Sequence, residues 1–217
     1  MTRLLLLAAL VCVGAAFLPA RALADLPDPY LWTLPSYIDI VGRGPDGAPD
    51  LARGTFVIVA RDVVGNPMGG LPVTVSFADC PDIRIDGQQW APLTVDCATK
   101  SVTGVTDADG RATFCIVGAA TNQGGAPGAG AGGARVYAAG FLMGSMTATV
   151  FDQNGAVTNP GVELSDAMAM MRDWGSGTYY GRSDYDHSGA ISLPDLVVLL
   201  RVWGAGSSVF GPNDLCP

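Results

Sequence analysis

The segment Val162 to Gly175 returns 29 residues later as Ile191 to Gly204. The matched positions are Val162/Ile191, Leu164/Leu193, Asp166/Asp195, Arg172/Arg201, Trp174/Trp203 and Gly175/Gly204. An internal repeat of this kind predicts two similar units that bury one another's apolar faces. Each copy reads as a loop followed by a short helix. Ser165 and Pro194 suit the first helical turn, where proline lacks only an N–H that has no helical partner. Ala167, Met170, Met171 and Trp174 fall at helical spacing in the first copy, and Leu196, Leu199, Leu200 and Trp203 in the second. The closing glycines end the helices. Helices of about ten residues do not stand alone, so the pair is expected to pack together, with methionines filling irregular gaps.

The residues before the second helix carry the chemistry. Asp184-Tyr185-Asp186-His187-Ser188-Gly189-Ala190-Ile191-Ser192-Leu193-Pro194-Asp195 has the spacing of an EF-hand calcium loop. Asp184, Asp186 and Ser188 take positions 1, 3 and 5. Gly189 makes the sharp turn at 6, and Ala190 offers its carbonyl at 7. Ile191 anchors the loop at 8, Ser192 holds a water at 9, and Asp195 closes the sphere at 12. His187, at position 4, is expected to point outward. The alternative is a structural turn without an ion. The first copy is more degenerate. Asp152, Asn154 and Asp166 are its candidate ligands, but position 5 is Ala156, and an Asn159-Pro160-Gly161 insertion lengthens the loop.

These features resemble a dockerin-type repeat pair over residues 152–206, followed by a tail at 207–217. Ser188 departs from the Asp or Asn usual at its position. The resemblance implies calcium as the bound ion and a cohesin-like or other extracellular protein as partner.

Upstream, the pattern changes to alternation broken by turn signals. Leu71-Pro72-Val73-Thr74-Val75-Ser76-Phe77 places Val73, Val75 and Phe77 on one face. Asp107-Ala108-Asp109-Gly110 is a hairpin turn. It feeds Arg111 to Val117, with Ala112, Phe114 and Ile116 toward the core. Asp107 and Asp109 satisfy turn geometry without an ion. Gly124 to Gly133 is a glycine/alanine connection, and no Lys-Ser or Lys-Thr follows it to make a phosphate loop. Several short strands with no helix between them predict an antiparallel sandwich. Ala60 to Pro67, Gly70 to Val75 and Thr106 to Phe114 resemble bacterial immunoglobulin-like domains. The expected fold class is therefore mostly β: an immunoglobulin-like sandwich over 37–151, preceded by an extended segment at 25–36, then the small α-helical dockerin-like pair.

The start of the chain reads as a leader. Arg3 precedes an apolar run from Leu4 to Leu18, and Ala22-Leu23-Ala24 supplies small residues before Asp25. A signal peptide at 1–24 implies a secreted or cell-surface protein. The run is too short for a membrane span, and no membrane insertion is expected. Val11 before Cys12 does not suit a lipoprotein site. Cys80, Cys97, Cys115 and Cys216 remain, an even number that favours disulfides in an exported chain. Of the pairings open to them, Cys80–Cys97 closes the excursion from Pro81 to Asp96, and Cys115–Cys216 ties back the tail.

The net charge is −8, and the leader's only charges are Arg3 and Arg21, so the rest of the chain is more acidic still. That disfavours nucleic acid and anionic membranes and suits a cation. His187 is the single histidine, which leaves little material for a nucleophilic triad. The chain reads as a non-catalytic attachment or protein-interaction module. The alternatives are a passive structural or cell-surface spacer and a carbohydrate-binding accessory protein, for which Trp90 or Trp32 is the candidate sugar platform.

Overall fold

The computed structural model describes residues 26–44, 46–121, 133–153, 162–203 and 215–216. The predicted leader, nearly all of the glycine/alanine connection, Asn154, the Asn159-Pro160-Gly161 insertion, Gly204 and most of the tail lie outside the described residues. Among the described residues, the chain runs β1 (Tyr37–Ile40), α1 (Leu51–Gly54), β2 (Thr55–Val59), β3 (Pro72–Ser76), β4 (Ile83–Ile85), β5 (Thr94–Asp96), β6 (Ser101–Val105), β7 (Arg111–Cys115), β8 (Gly118–Ala120), β9 (Ala134–Ala138) and β10 (Phe141–Val150). Then come α2 (Leu164–Gly175), a 3-10 turn at Gly181–Ser183 and α3 (Leu193–Val202). A mostly-β part is thus followed by a short helical pair.

A curled six-stranded sheet has the order β1-β10-β9-β3-β6-β5, and β2–β7 and β4–β8 form shorter ladders. The alternation read from the sequence holds: Val73, Val75, Phe77, Ala112, Phe114 and Ile116 are all fully buried. They join Ile38, Ile40, Ile58 and Val136 in one core cluster, where each large apolar side chain contributes about 2 kcal/mol by leaving water. The Asp107 carboxylate accepts from the backbone of Asp109 and Arg111, each at 2.9 Å, so it caps its own turn. Gly110 completes that turn at φ +74, and a Cβ there would lie 2.5 Å from the Ala60 carbonyl oxygen.

Purely antiparallel pairing fails at one edge. β1 runs parallel to β10, with Tyr37 opposite Thr147 and Ile40 opposite Val150. These strands are joined through the rest of the β part and not by a hairpin, so no local turn sets their direction.

The disulfide pairing also differs from expectation. Cys97 is bonded to Cys216, with Cα atoms 5.0 Å apart. Cys80 and Cys115 are buried thiols. The tail returns beside β4, where Leu215 bridges to Asp86 and the Cys216 N–H donates to the Ile85 carbonyl at 2.8 Å. That contact delivers Cys216 to Cys97. Cys80 sits within the main core cluster. Cys115 points to the other side of its strand, as its alternation with Phe114 and Ile116 predicts. There a Cβ on Gly54 would lie 2.9 Å from its Sγ. Burial pushes the Cys115 thiol up to about 11.

The helical pair has its own small core of Phe151, Val162, Ala167, Met170, Tyr185, Leu199 and Val202. Ala167, Met170 and Leu199 face inward as expected. Met171, Leu200, Trp174 and Trp203 do not, and remain 41–53% exposed. Phe151 and Tyr185 supply the missing apolar volume. The outward positions form one pattern in both copies: Leu164, Met168, Met171 and Trp174 in α2, and Leu193, Val197 and Leu200 in α3 with Trp203 just after it.

Candidate metal site

The loop between the 3-10 turn and α3 closes on itself around a glycine turn. Asp184 follows the turn, Gly189 bends the chain at φ +84, and His187 adopts a left-handed φ of +59. Ser192 caps α3, and its N–H donates to Asp195 Oδ2 at 2.7 Å. The Asp186 N–H donates to Asp195 Oδ1 at 3.0 Å, drawing the two ends of the loop together. Asp184 receives the N–H groups of Ser188 and Gly189 at 3.0 and 2.9 Å, one on each oxygen.

Carboxylate oxygens of Asp184, Asp186 and Asp195 consequently lie within 4.8 Å of one another. Among the described residues, this is the one group of three or more acidic, histidine or cysteine side chains close enough to share a cation. Ser188 Oγ donates to the Ala190 carbonyl at 3.1 Å, and Ser192 Oγ to Asp195 Oδ2 at 3.3 Å. The backbone hydrogen bonds thus fix three carboxylates around one point, with two hydroxyls and a carbonyl beside them.

The electrostatics match that crowding. Burial holds the Asp195 carboxyl above its ordinary range, and the charges of Asp186 and Asp184 push it further the same way. Asp186 is held below its ordinary range by its hydrogen bond with Ser188. A cation among them would reverse the burden on Asp195, because a bound ion is the largest local charge and favours the ionised form. The donors are all oxygen, which suits a hard divalent ion over a thiolate- or imidazole-seeking one.

The first copy repeats part of this scaffold. Asp166 is fully buried. Its Oδ1 accepts from the Gln153 N–H at 2.7 Å and its Oδ2 from the Glu163 N–H at 2.8 Å. These bonds parallel those of Asp195 to Asp186 and Ser192. The residue in the place of Asp186 is therefore Gln153, whose amide turns inward to the Val150 carbonyl and the Tyr185 hydroxyl. Asp152 is buried beside it.

Sequence reasoning missed the residues that seat the loop on the β part. His187 is exposed and points away from the carboxylates, as expected, but it rests on the β part. Its ring stacks on Tyr37 with centroids 4.7 Å apart, and its Nε2 lies 3.1 Å from Asp39 Oδ1. Tyr179 donates its hydroxyl to Asp184 Oδ2 at 2.7 Å. Tyr185 stacks on Phe151 at 5.0 Å and donates to the Val150 carbonyl at 3.1 Å. The available signal was the pair of aromatic rings at the even loop positions, 185 and 187. The candidate sugar platforms are also displaced. Trp32 is buried, with Nε1 donating to the Arg61 carbonyl at 2.9 Å, and Trp90 packs half-buried against the main core.

No family model, curated protein or solved structure matches the chain. No helix among the described residues is long and apolar enough to cross a membrane.

Proposed function

We propose that the chain is a non-catalytic exported protein whose helical pair binds calcium through the 184–195 loop and serves as an attachment or protein-interaction module. The observation that carries this reading is the convergence of Asp184, Asp186 and Asp195 within 4.8 Å around a glycine turn. Calcium takes about six to eight oxygen ligands in flexible geometry. Three carboxylates supplemented by Ser188, Ala190, Ser192 and water supply that number without a soft donor. The outward apolar residues of α2 and α3 support the interaction role, since exposed apolar surface of this kind marks contact sites. A cohesin-like or other extracellular protein is the partner class this reading implies. A carbohydrate-binding role is the second reading, favoured by the exposed faces of Trp174 and Trp203.

The test is calorimetric titration with calcium of the chain from Asp25 onward, after treatment with chelator. Saturable heat with a calcium-dependent rise in melting temperature is the expected result. Neither heat nor a thermal shift at millimolar calcium, the range of the weakest extracellular sites, overturns the reading.

A further inference from the structure

We infer that the cation loop is two-sided, and that ion binding on one side latches the helical pair to strand β1 on the other. This rests on the calcium reading above and adds a regulatory consequence to it. The loop alternates. Asp184 and Asp186 turn their carboxylates toward Asp195. The residues between and after them, Tyr185 and His187, turn onto the β part. Tyr185 is buried against Phe151, which follows β10 directly. His187 lies on Tyr37 and Asp39 of β1, and Asp39 also accepts from Thr149 of β10. A rearrangement of the loop backbone around an ion would therefore move the His187 ring on β1 and the Tyr185 ring at the end of β10.

Tyr37 reaches the loop through the His187 ring and contributes no ligand itself. The conformation of His187 gives the latch its sensitivity. A left-handed φ of +59 is unfavourable for a residue with a Cβ. It persists because the ligand residues on either side fix the turn. With the ion removed, three carboxylates repel at close range, the turn loosens, and His187 relaxes away from Tyr37.

Binding coupled to docking is reciprocal, so weakening the dock must weaken the ion by the same factor. Tyr37→Ala is therefore expected to reduce calcium affinity by about fivefold or more, the lower end of typical coupling. Tyr37→Phe, which keeps the stacked ring, is expected to stay closer to the wild type than Tyr37→Ala does. The experiment is calcium calorimetry on the wild-type chain and both variants. It is paired with hydrogen exchange on the wild type, with calcium and with chelator. Slower exchange at residues 36–41 as well as 184–195 on calcium addition supports the latch. If the wild type takes up calcium but Tyr37→Ala binds with unchanged affinity, the latch is overturned and the calcium reading stands. Calcium protection confined to 184–195 overturns it in the same way, and needs no variant to fold. If the wild type takes up no calcium, both fall together.

Discussion

The guanidinium of Arg182 donates to the carboxylate of Asp82 at 2.6 Å, a contact 100 residues apart in sequence with both side chains almost wholly buried. The same guanidinium forks onto Asp173 of α2 through Nε and Nη2, at 2.9 and 2.8 Å. One arginine therefore ties the helical pair to the loop between β3 and β4. Breaking a buried pair by removing one partner leaves uncompensated charge and costs about 3–5 kcal/mol. Arg182→Met is expected to lose stability of that order in chemical denaturation. Arg182→Lys is expected to recover only part of it, because an ammonium cannot make the bidentate fork to Asp173.

Asp82 also makes stability depend on pH. Its Oδ1 is buried without a hydrogen-bond partner. Burial raises its pKa above the ordinary 3.8, with the Asp173 charge adding to the rise and Arg182 opposing it. The folded chain thus holds this proton at higher pH than the unfolded chain does. Stability from this group is fully present below the unfolded value and declines as pH rises through the folded one. Asp82→Asn removes the proton from the comparison. The melting temperature of the wild type minus that of the variant is expected to fall across the mildly acidic range and then level off. A difference that grows with pH contradicts the assignment.

The Cys97–Cys216 bond spans 119 residues, a long loop whose closure restricts the unfolded chain. Loss of such a bond costs about 2–5 kcal/mol. Replacing both cysteines with serine is expected to lower stability by that order and to release the tail from Ile85. Peptide mapping without reduction is expected to recover Cys97 joined to Cys216. In the native state Cys80 and Cys115 are expected to react slowly with thiol reagents, since both are buried and reactivity requires an accessible thiolate. A peptide joining Cys80 to Cys115 contradicts this arrangement.

What the sequence made legible is what local spacing controls. Val73, Val75 and Phe77 alternate with period two and face one core, and the spacing of Asp184, Asp186 and Asp195 about the Gly189 turn brings their carboxylates together. What it hid depends on contacts between distant segments. The partner of Cys97 is decided by where the tail meets Ile85 and Asp86, and the direction of β1 by an edge with no connecting turn. The exposure of Met171 and Leu200 follows from Phe151 and Tyr185 entering the helical core. The seat of His187 is Tyr37, 150 positions earlier in the chain. No period or motif encodes these meetings.

The carboxylate cluster leads to the most direct prediction about ligand binding. An ion held only by the folded chain stabilises it by RT ln(1 + [L]/Kd), about 2.7 kcal/mol when calcium is a hundredfold above Kd. Asp184 receives two backbone N–H groups and the Tyr179 hydroxyl, so it organises the loop as well as offering a ligand. Asp184→Ala is expected to abolish the calcium-dependent rise in melting temperature and also to lower stability in chelator. Asp186→Ala separates the two effects. Asp186 is exposed and accepts the Ser188 N–H at 3.0 Å, a bond that Asp184 also makes. Its loss is expected to remove most of the calcium increment while leaving the melting temperature in chelator nearly unchanged. Asp107→Ala serves as the control, because that carboxylate only caps its own turn. It is expected to leave the increment intact. A calcium increment that survives in Asp184→Ala and Asp186→Ala alike would place the ion elsewhere on the chain.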